Sequence, residues 1–209
     1  MKCDSPLWVS AVLTGLLVAS CTTEMPTVPT TGSEHVEICH GYGCKFRSKL
    51  MLTASDEKEF AAIMASGAKS PTAERQAIAR SVAYFENRTR QVTGVTDQRK
   101  SELGAAGIRG QMDCIDESTN TRTLLKYLER HGLLRHHDVA MNASRGFLID
   151  GRYPHNTAVI RDASGKKWAV DSWYAPMGGA PDILPLSEWL PRGFLASGEL
   201  TEAERRSGL

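Results

Sequence analysis

The sequence predicts a single α+β domain in which N-terminal helices pack on an antiparallel β-sheet. Two helical patterns with clear start and stop signals occupy residues 53–94, and a third helix begins near Asp113. An alternating, strand-like stretch that ends at Leu52 precedes the helices, and after them the pattern changes to strands, predicted over 138–141, 147–149, 155–161 and 167–173. A helical half followed by an antiparallel half is typical of the α+β class.

The composition excludes several other classes of protein. The chain has 209 residues, of which 41% are hydrophobic and 23% charged, and its formal net charge is +1. These values fit a globular domain with its own core and argue against disorder, collagen and coiled coil. The 25 Lys and Arg residues, against 24 Asp and Glu, form no basic patch, so we expect no nucleic-acid partner.

Residues 1–20 are predicted to be a lipoprotein signal peptide. The 14 residues from 7 to 20 are apolar or small throughout. As a helix they rise about 21 Å, less than the roughly 30 Å hydrocarbon core of a membrane, so they fit a signal peptide better than a transmembrane anchor. The junction Val-Ala-Ser-Cys at 18–21 resembles the bacterial lipobox, which implies that Cys21 is acylated and becomes the mature N-terminus. A plain secretory signal is the alternative.

Acylation of Cys21 implies a lipid anchor in the membrane of the bacterial cell envelope, with the protein facing the periplasm. Residues 21–35 are rich in Thr, Pro and Gly and are predicted to be a flexible tether. The domain is predicted over residues 36–197, followed by a polar tail over 198–209.

The cysteines have different predicted fates. They are at positions 3, 21, 39, 44 and 114. Cys3 leaves with the signal peptide. In an oxidising compartment, the two glycines between Cys39 and Cys44 permit a tight turn and favour a disulfide. A metal site made of Cys39, His40 and Cys44 is one alternative and two reduced thiols are another; no fourth ligand stands at a compatible spacing, so we expect no metal. Cys114 remains unpaired.

The first two helices are predicted to be scaffolding. The first starts at Thr53, which acidic residues follow in the first turn. The second starts with Ser70 as the cap and Pro71 at the first helical position, and it stops at Gly94.

The third helix carries the candidate nucleophile. Asp113 is predicted to be its N-cap, and Asp116 three residues later completes a capping box. Cys114 then stands at the first helical position, where unpaired backbone N–H groups and the positive end of the helix dipole favour a thiolate. The N–H group of Cys114 is available as an oxyanion donor.

The predicted hairpin over the last two strands brings together a histidine and an aspartate. If Gly165 takes the left-handed position after a type I turn, the numbers of paired residues sum to 328. His155 then faces Trp173 and lies diagonal to Asp171 on one face of the sheet. A sum of 326 places His155 and Asp171 directly opposite, whereas a sum of 327 sends them to opposite faces. The Asp–His contact therefore depends on the hairpin register.

These residue types suit nucleophilic catalysis. A cysteine nucleophile needs an imidazole within hydrogen-bond reach and a third group that fixes the imidazole tautomer. Cys114, His155 and Asp171, on a helix followed by two antiparallel strands, resemble the catalytic core of the transglutaminase-like superfamily within the papain-like fold. More narrowly, they resemble the bacterial transglutaminase-like cysteine proteinases. The likeness covers residues 110–189 and lies in the segments 112–116 (MDCID), 154–160 (PHNTAVI) and 168–173 (WAVDSW).

The resemblance implies a role for each residue. Cys114 is the expected nucleophile, His155 the general base and then acid, and Asp171 the residue that orients His155. Gln111 is placed where a side-chain oxyanion donor is expected. The implied reaction is hydrolysis of a peptide or amide bond through an acyl-enzyme, with a peptide, protein or peptidoglycan substrate and no cofactor.

Two alternatives remain open. Papain-like peptidoglycan endopeptidases also use a cysteine followed by a histidine, although their third polar residue is usually a second histidine. A catalytically silent binding or scaffolding lipoprotein of the same fold is the other alternative. It is favoured by Asp113, Asp116 and Glu117, because negative charges around a cysteine oppose thiolate formation.

Overall fold

The structure, a computed structural model, describes residues 33–94, 96–98, 100, 102–146 and 154–192. The predicted signal peptide, Cys21, residues 21–32 of the tether, the strand predicted over 147–149 and the polar tail lie outside these residues. None of the helices in the described ranges is long and apolar enough to cross a membrane.

Two antiparallel sheets and a set of helices make up the described fold. In chain order the elements are β1 (Glu34–His40), β2 (Phe46–Leu52), α1 (Ala54–Ala65), α2 (Pro71–Thr93), a short 3-10 helix (Leu103–Ala105), α3 (Cys114–Arg130), β3 (His137–Arg145), β4 (His155–Asp162), β5 (Lys167–Asp171), β6 (Asp182–Pro185) and α4 (Leu186–Trp189). Strands β1 and β2 form a hairpin, and β3, β4, β5 and β6 form a second sheet in that order. The α+β class predicted from the sequence is therefore confirmed.

Several boundaries differ from the prediction. Strand β1 begins at Glu34, so residues 34–35 belong to a strand rather than to the tether. Strand β3 is longer than predicted because a bulge between Ala140 and Ala143 lets the pairing continue. Strand β5 ends at Asp171, two residues early, and β6 with α4 was not predicted.

The first two helices start and stop as the sequence predicts. The Thr53 side chain accepts a hydrogen bond from the backbone N–H of Asp56, and the Asp56 side chain accepts one from the backbone N–H of Thr53. The two bonds form a capping box. In α2 the Ser70 side chain accepts from Ala73 N–H, and Gly94 ends the helix with φ of 72°, a left-handed conformation that favours glycine.

The β4–β5 hairpin has the register that places His155 and Asp171 on one face. Ala158 pairs with Val170 and Arg161 pairs with Lys167, so the residue numbers sum to 328 as predicted. Gly165 has φ of 86°, which completes the turn.

Helix α3 is held in the core between the two sheets. It packs against β4 and β1, and the buried side chains of Leu124, Leu125 and Leu128 share one core cluster with Ile38 and Ile160. Full burial of each such side chain stabilises the fold by about 1.5–3 kcal/mol. This packing fixes the N-terminus of α3 near the start of β4.

Candidate active site

The N-terminus of α3 presents Cys114 at its first helical position. The Asp113 side chain accepts hydrogen bonds from the N–H groups of Ile115 and Asp116. The Asp116 side chain in turn accepts a hydrogen bond from the N–H of Asp113. This is the predicted capping box. The cap does not use the N–H of Cys114, so that donor is available at the helix end.

A loop closed by a disulfide covers this helix start. Cys39 and Cys44 form the predicted disulfide, and we call residues 39–44 the disulfide loop. Residues 41–44 all have positive φ, between 57° and 87°, which turns successive N–H groups towards one side. The bond uses both sulfur atoms that the alternative metal site with His40 requires, and that site is therefore not formed.

The disulfide loop hydrogen-bonds to the two acids that flank Cys114. Asp116 accepts from the N–H groups of Tyr42 and Cys44 at 2.7 and 2.5 Å, and Asp113 accepts from Gly43 N–H at 3.0 Å. Burial nevertheless raises the pKa of Asp116 to about 6, against the effect of these bonds. Backbone N–H groups thus partly screen the negative charge that the sequence places beside the thiol.

His155 and Asp171 form a buried pair. His155 Nε2 lies 2.8 Å from Asp171 Oδ2, and each residue is 2% exposed. Trp189 Nε1 donates to the same oxygen at 2.7 Å, and Trp173 N–H donates to the other at 3.3 Å. The rings of Trp173 and Trp189 lie 4.6 and 5.5 Å from the imidazole. The imidazole therefore has one fixed orientation in a largely dry environment.

The thiol of Cys114 lies against the residues on either side of His155. Its Sγ atom is 4.0 Å from the carbonyl oxygen of Pro154 and 3.8 Å from Nδ2 of Asn156. The other imidazole nitrogen, Nδ1 of His155, is buried and has no hydrogen-bond partner within the described ranges. The Cys114 thiol thus lies against the two chain neighbours of His155, the residue that pairs with Asp171.

The electrostatics favour a charged imidazole. Burial lowers the pKa of His155, but the hydrogen bond to Asp171 and the interaction with the Cys114 thiol outweigh it and raise this pKa to about 9. At neutral pH the ring is therefore an imidazolium, the positive partner that a cysteine thiolate requires.

The third acid, Glu117, lies on the helix one turn after Cys114. Burial, together with the charges of Glu86 and Asp97, raises the pKa of Glu117 well above its ordinary value. Burial thus favours the uncharged form of this side chain, which weakens its opposition to a thiolate at Cys114.

The structure places Gln111 at the site but gives its side chain no role. Gln111 is half-buried, and its backbone carbonyl accepts from Gly41 N–H at 2.6 Å, which ties it to the disulfide loop. The oxyanion role remains a prediction.

Two contacts were not predicted from the sequence. Asn156 lies beside the thiol, and its position next to His155 on a strand was the only available signal. The donor that Trp189 supplies to Asp171 has no signal in the sequence, because α4 is folded back onto β5 by tertiary packing.

Comparison with known proteins adds no family. No protein-family model, no curated protein and no solved structure matches this chain. The resemblance to the bacterial transglutaminase-like cysteine proteinases therefore remains a prediction that rests on Cys114, His155 and Asp171.

Proposed function

We propose that this protein is a lipoprotein of the bacterial cell envelope that hydrolyses peptide or amide bonds at a Cys–His–Asp site. The observation that supports this most directly is the buried imidazole of His155, which is fixed through Nε2 by Asp171 and interacts with the Cys114 thiol.

The proposed mechanism follows from these positions. The Cys114 thiolate, paired with the protonated imidazole of His155, attacks the carbonyl carbon of the substrate. The N–H of Cys114 stabilises the resulting oxyanion. His155 then protonates the departing amine, which leaves an acyl-enzyme. Water, deprotonated by His155, attacks this thioester, and the acid product departs as Cys114 leaves as a thiolate beside the protonated His155.

The location in the envelope is part of the proposal. It rests on the signal-like residues 1–20 and on Cys21 in the lipobox-like junction. One diacylglyceryl group with a further acyl chain on Cys21 is sufficient for stable anchoring.

The alternatives are weighed by particular contacts. Asp171, rather than a second histidine, orients His155, which disfavours the peptidoglycan endopeptidase. The hydrogen bonds that the disulfide loop donates to Asp113 and Asp116 weaken the argument for a silent protein, because the backbone dipoles partly screen these charges.

Thiol labelling tests the catalytic proposal. Iodoacetamide is expected to label Cys114 at pH 7, and His155→Ala should lower the second-order rate constant at least tenfold, because it removes the base and its positive charge. His35→Ala is the matched control, since His35 is exposed on β1, and it should leave the rate unchanged. Slow labelling at equal rates in the wild type and His155→Ala would overturn the proposal.

Substrate classes separate the two hydrolases. Wild-type protein is expected to cleave a denatured protein substrate, with Cys114→Ala as the inactive control. Release of fragments from purified peptidoglycan without cleavage of protein would favour the endopeptidase instead.

A further inference from the structure

Asn156, which stands next to His155 on β4, contacts the candidate nucleophile directly. Its Nδ2 atom lies 3.8 Å from Sγ of Cys114. Cys114 is buried and is the free cysteine of the ranges that the structure describes, and Asn156 is half-buried. The proposed mechanism does not use this contact.

A serine on the neighbouring strand determines which end of the Asn156 amide faces the sulfur. Ser144 pairs directly with Asn156 between β3 and β4, and its hydroxyl donates a hydrogen bond to Oδ1 of Asn156 at 2.5 Å. Because the hydroxyl holds the oxygen end of the amide, the N–H end faces Cys114. The reverse orientation would bring an amide oxygen, which can only accept, against a sulfur that is itself an acceptor once it is ionised.

The two polar atoms that lie against the sulfur favour opposite protonation states of the thiol. The carbonyl oxygen of Pro154, 4.0 Å from Sγ, can accept a hydrogen bond from a neutral thiol but repels a thiolate. The N–H groups of Asn156 can donate to either form, and a hydrogen bond to an ionised acceptor is roughly twice as strong as one between neutral groups. Asn156 therefore stabilises the thiolate relative to the thiol.

Asn156 differs from the ionisable side chains around Cys114 because it does not titrate. Those side chains are Asp113, Asp116 and Glu117 on α3, His155 on β4 and Asp171 on β5. With a pKa of about 9, His155 carries a positive charge only at lower pH, whereas the amide keeps its N–H groups as the pH rises. The support that Asn156 gives to the thiolate is thus independent of the charge on the imidazole.

We propose that Asn156 is a further catalytic residue that donates a side-chain hydrogen bond to the Cys114 thiolate, and that Ser144 is a positioning residue that holds the amide in the required orientation. The word catalytic rests on the proposed hydrolase function, whereas the hydrogen bond to the sulfur does not. In that reaction the sulfur is a thiolate twice: before it forms the bond to the carbonyl carbon of the substrate, and after that bond breaks in hydrolysis of the acyl-enzyme.

The amide donates to the sulfur at both stages and gives up no proton at either. Before the attack, the hydrogen bond increases the share of Cys114 that is ionised. In hydrolysis of the acyl-enzyme, it stabilises the departing sulfur, because a more stable thiolate is a better leaving group.

The pH dependence of alkylation tests the proposal without any substrate. Full-length protein is treated with iodoacetamide at several pH values, and mass spectrometry follows the modification of the peptide that contains Cys114. Asn156→Ala should move the midpoint of this pH profile upwards by about half a pH unit, which is a threefold change in the ratio of thiolate to thiol. Above both midpoints the rate constant should be at least as high as in the wild type, because the thiol is then ionised in both proteins.

Asn142→Ala is the matched control. Asn142 is a half-buried asparagine on β3 whose amide donates to the backbone carbonyl of Ser118 at 3.3 Å, and its removal should leave the midpoint unchanged. Ser144→Ala, which removes the hydroxyl that holds the Asn156 amide, should move the midpoint in the same direction as Asn156→Ala but by a smaller amount.

An unchanged midpoint in Asn156→Ala overturns the proposal, and so does an equal shift in Asn142→Ala. An unchanged midpoint in Ser144→Ala overturns the positioning role of Ser144. If Asn156→Ala does not fold, as judged by circular dichroism, Asn156→Leu takes its place, because leucine has a similar shape and no side-chain donor. An unchanged midpoint in Asn156→Leu then overturns the proposal.

The same labelling in His155→Ala separates this proposal from the proposed function. Labelling that depends on His155, with an unchanged midpoint in Asn156→Ala, contradicts the role of Asn156 alone. A shifted midpoint in Asn156→Ala, with labelling that does not depend on His155, supports the hydrogen bond to the sulfur and contradicts the hydrolase.

Discussion

At the scale of single residues, Asp171 is the buried acceptor that fixes His155. It accepts hydrogen bonds from His155, from the Trp189 indole and from the backbone of Trp173. A buried carboxylate with several donors holds its partner in a defined orientation. Trp189 is therefore a positioning residue that acts on His155 through Asp171.

Replacing Trp189 by phenylalanine tests this contact. Trp189→Phe keeps an aromatic ring but removes the donor to a buried oxygen, so we expect the free energy of unfolding to fall by about 1–3 kcal/mol. Trp168→Phe is the control, since the Trp168 indole donates to Asp162 on the partly exposed hairpin, where water can replace it. Trp168→Phe should therefore lower the free energy of unfolding, measured in urea, by less than about 1 kcal/mol. An equal loss of unfolding free energy in both variants would show that the bond from Trp189 to Asp171 contributes no more to stability than the exposed bond from Trp168.

The positions of the three candidate catalytic residues could be predicted because local rules decide them. A cap residue places Cys114, and the turn chemistry around Gly165 sets the register that brings His155 to Asp171. Trp189 and Asn156 could not be predicted, because their contacts depend on how distant segments pack.

At the scale of elements, the disulfide loop and the start of α3 form one unit. Asp116 accepts from Tyr42, Cys44 and Asp113, and it is fully buried. The loop thus stabilises the helix end from outside the helix, while the cap stabilises it from within.

Loss of the Asp116 carboxylate should remove the hydrogen bonds that join the disulfide loop to the start of α3. Asp116→Ala leaves buried N–H groups without acceptors, so we expect the protein to lose about 2–4 kcal/mol of stability in urea unfolding. Asp138→Ala is the control, because Asp138 is exposed and makes only a 3.4 Å ion pair with Arg161, and it should change stability by less than about 0.5 kcal/mol. A loss below 1 kcal/mol for Asp116→Ala would contradict the coupling.

Two strands escaped prediction for different reasons. In β1 the buried positions include Cys39 and His40, whose chemistry suggested a ring or a metal site rather than a strand. Strand β6 has four residues and ends in Pro185 at the sheet edge, which is too short for an alternating pattern to show.

At the scale of the whole molecule, His155, Asp97 and Glu86 each make stability fall as the pH rises. His155 has a folded pKa of about 9, above its ordinary 6.5, so its contribution is complete below pH 6.5 and is lost as the pH rises through 9. Asp97 and Glu86 keep protons that the unfolded chain releases near pH 4, so stability also falls as the pH rises towards 7 and 8.

We therefore expect the free energy of unfolding to fall by at least about 2 kcal/mol between pH 6 and pH 9. Urea unfolding at several pH values measures this change, and the activity of Cys114 plays no part in it. Glu86→Gln should flatten the curve between pH 6 and pH 8. A constant or rising free energy over this range would contradict the assigned protonation states.

The disulfide loop also determines when the thiol can acquire its surroundings. Its contacts with Asp113 and Asp116 join residues 70–74 positions apart in the chain. Helices form locally and fast, whereas contacts between distant segments form late because long loops must close first. In the unfolded chain Cys114 therefore lacks these neighbours, and the surroundings of the thiol form only when folding is complete.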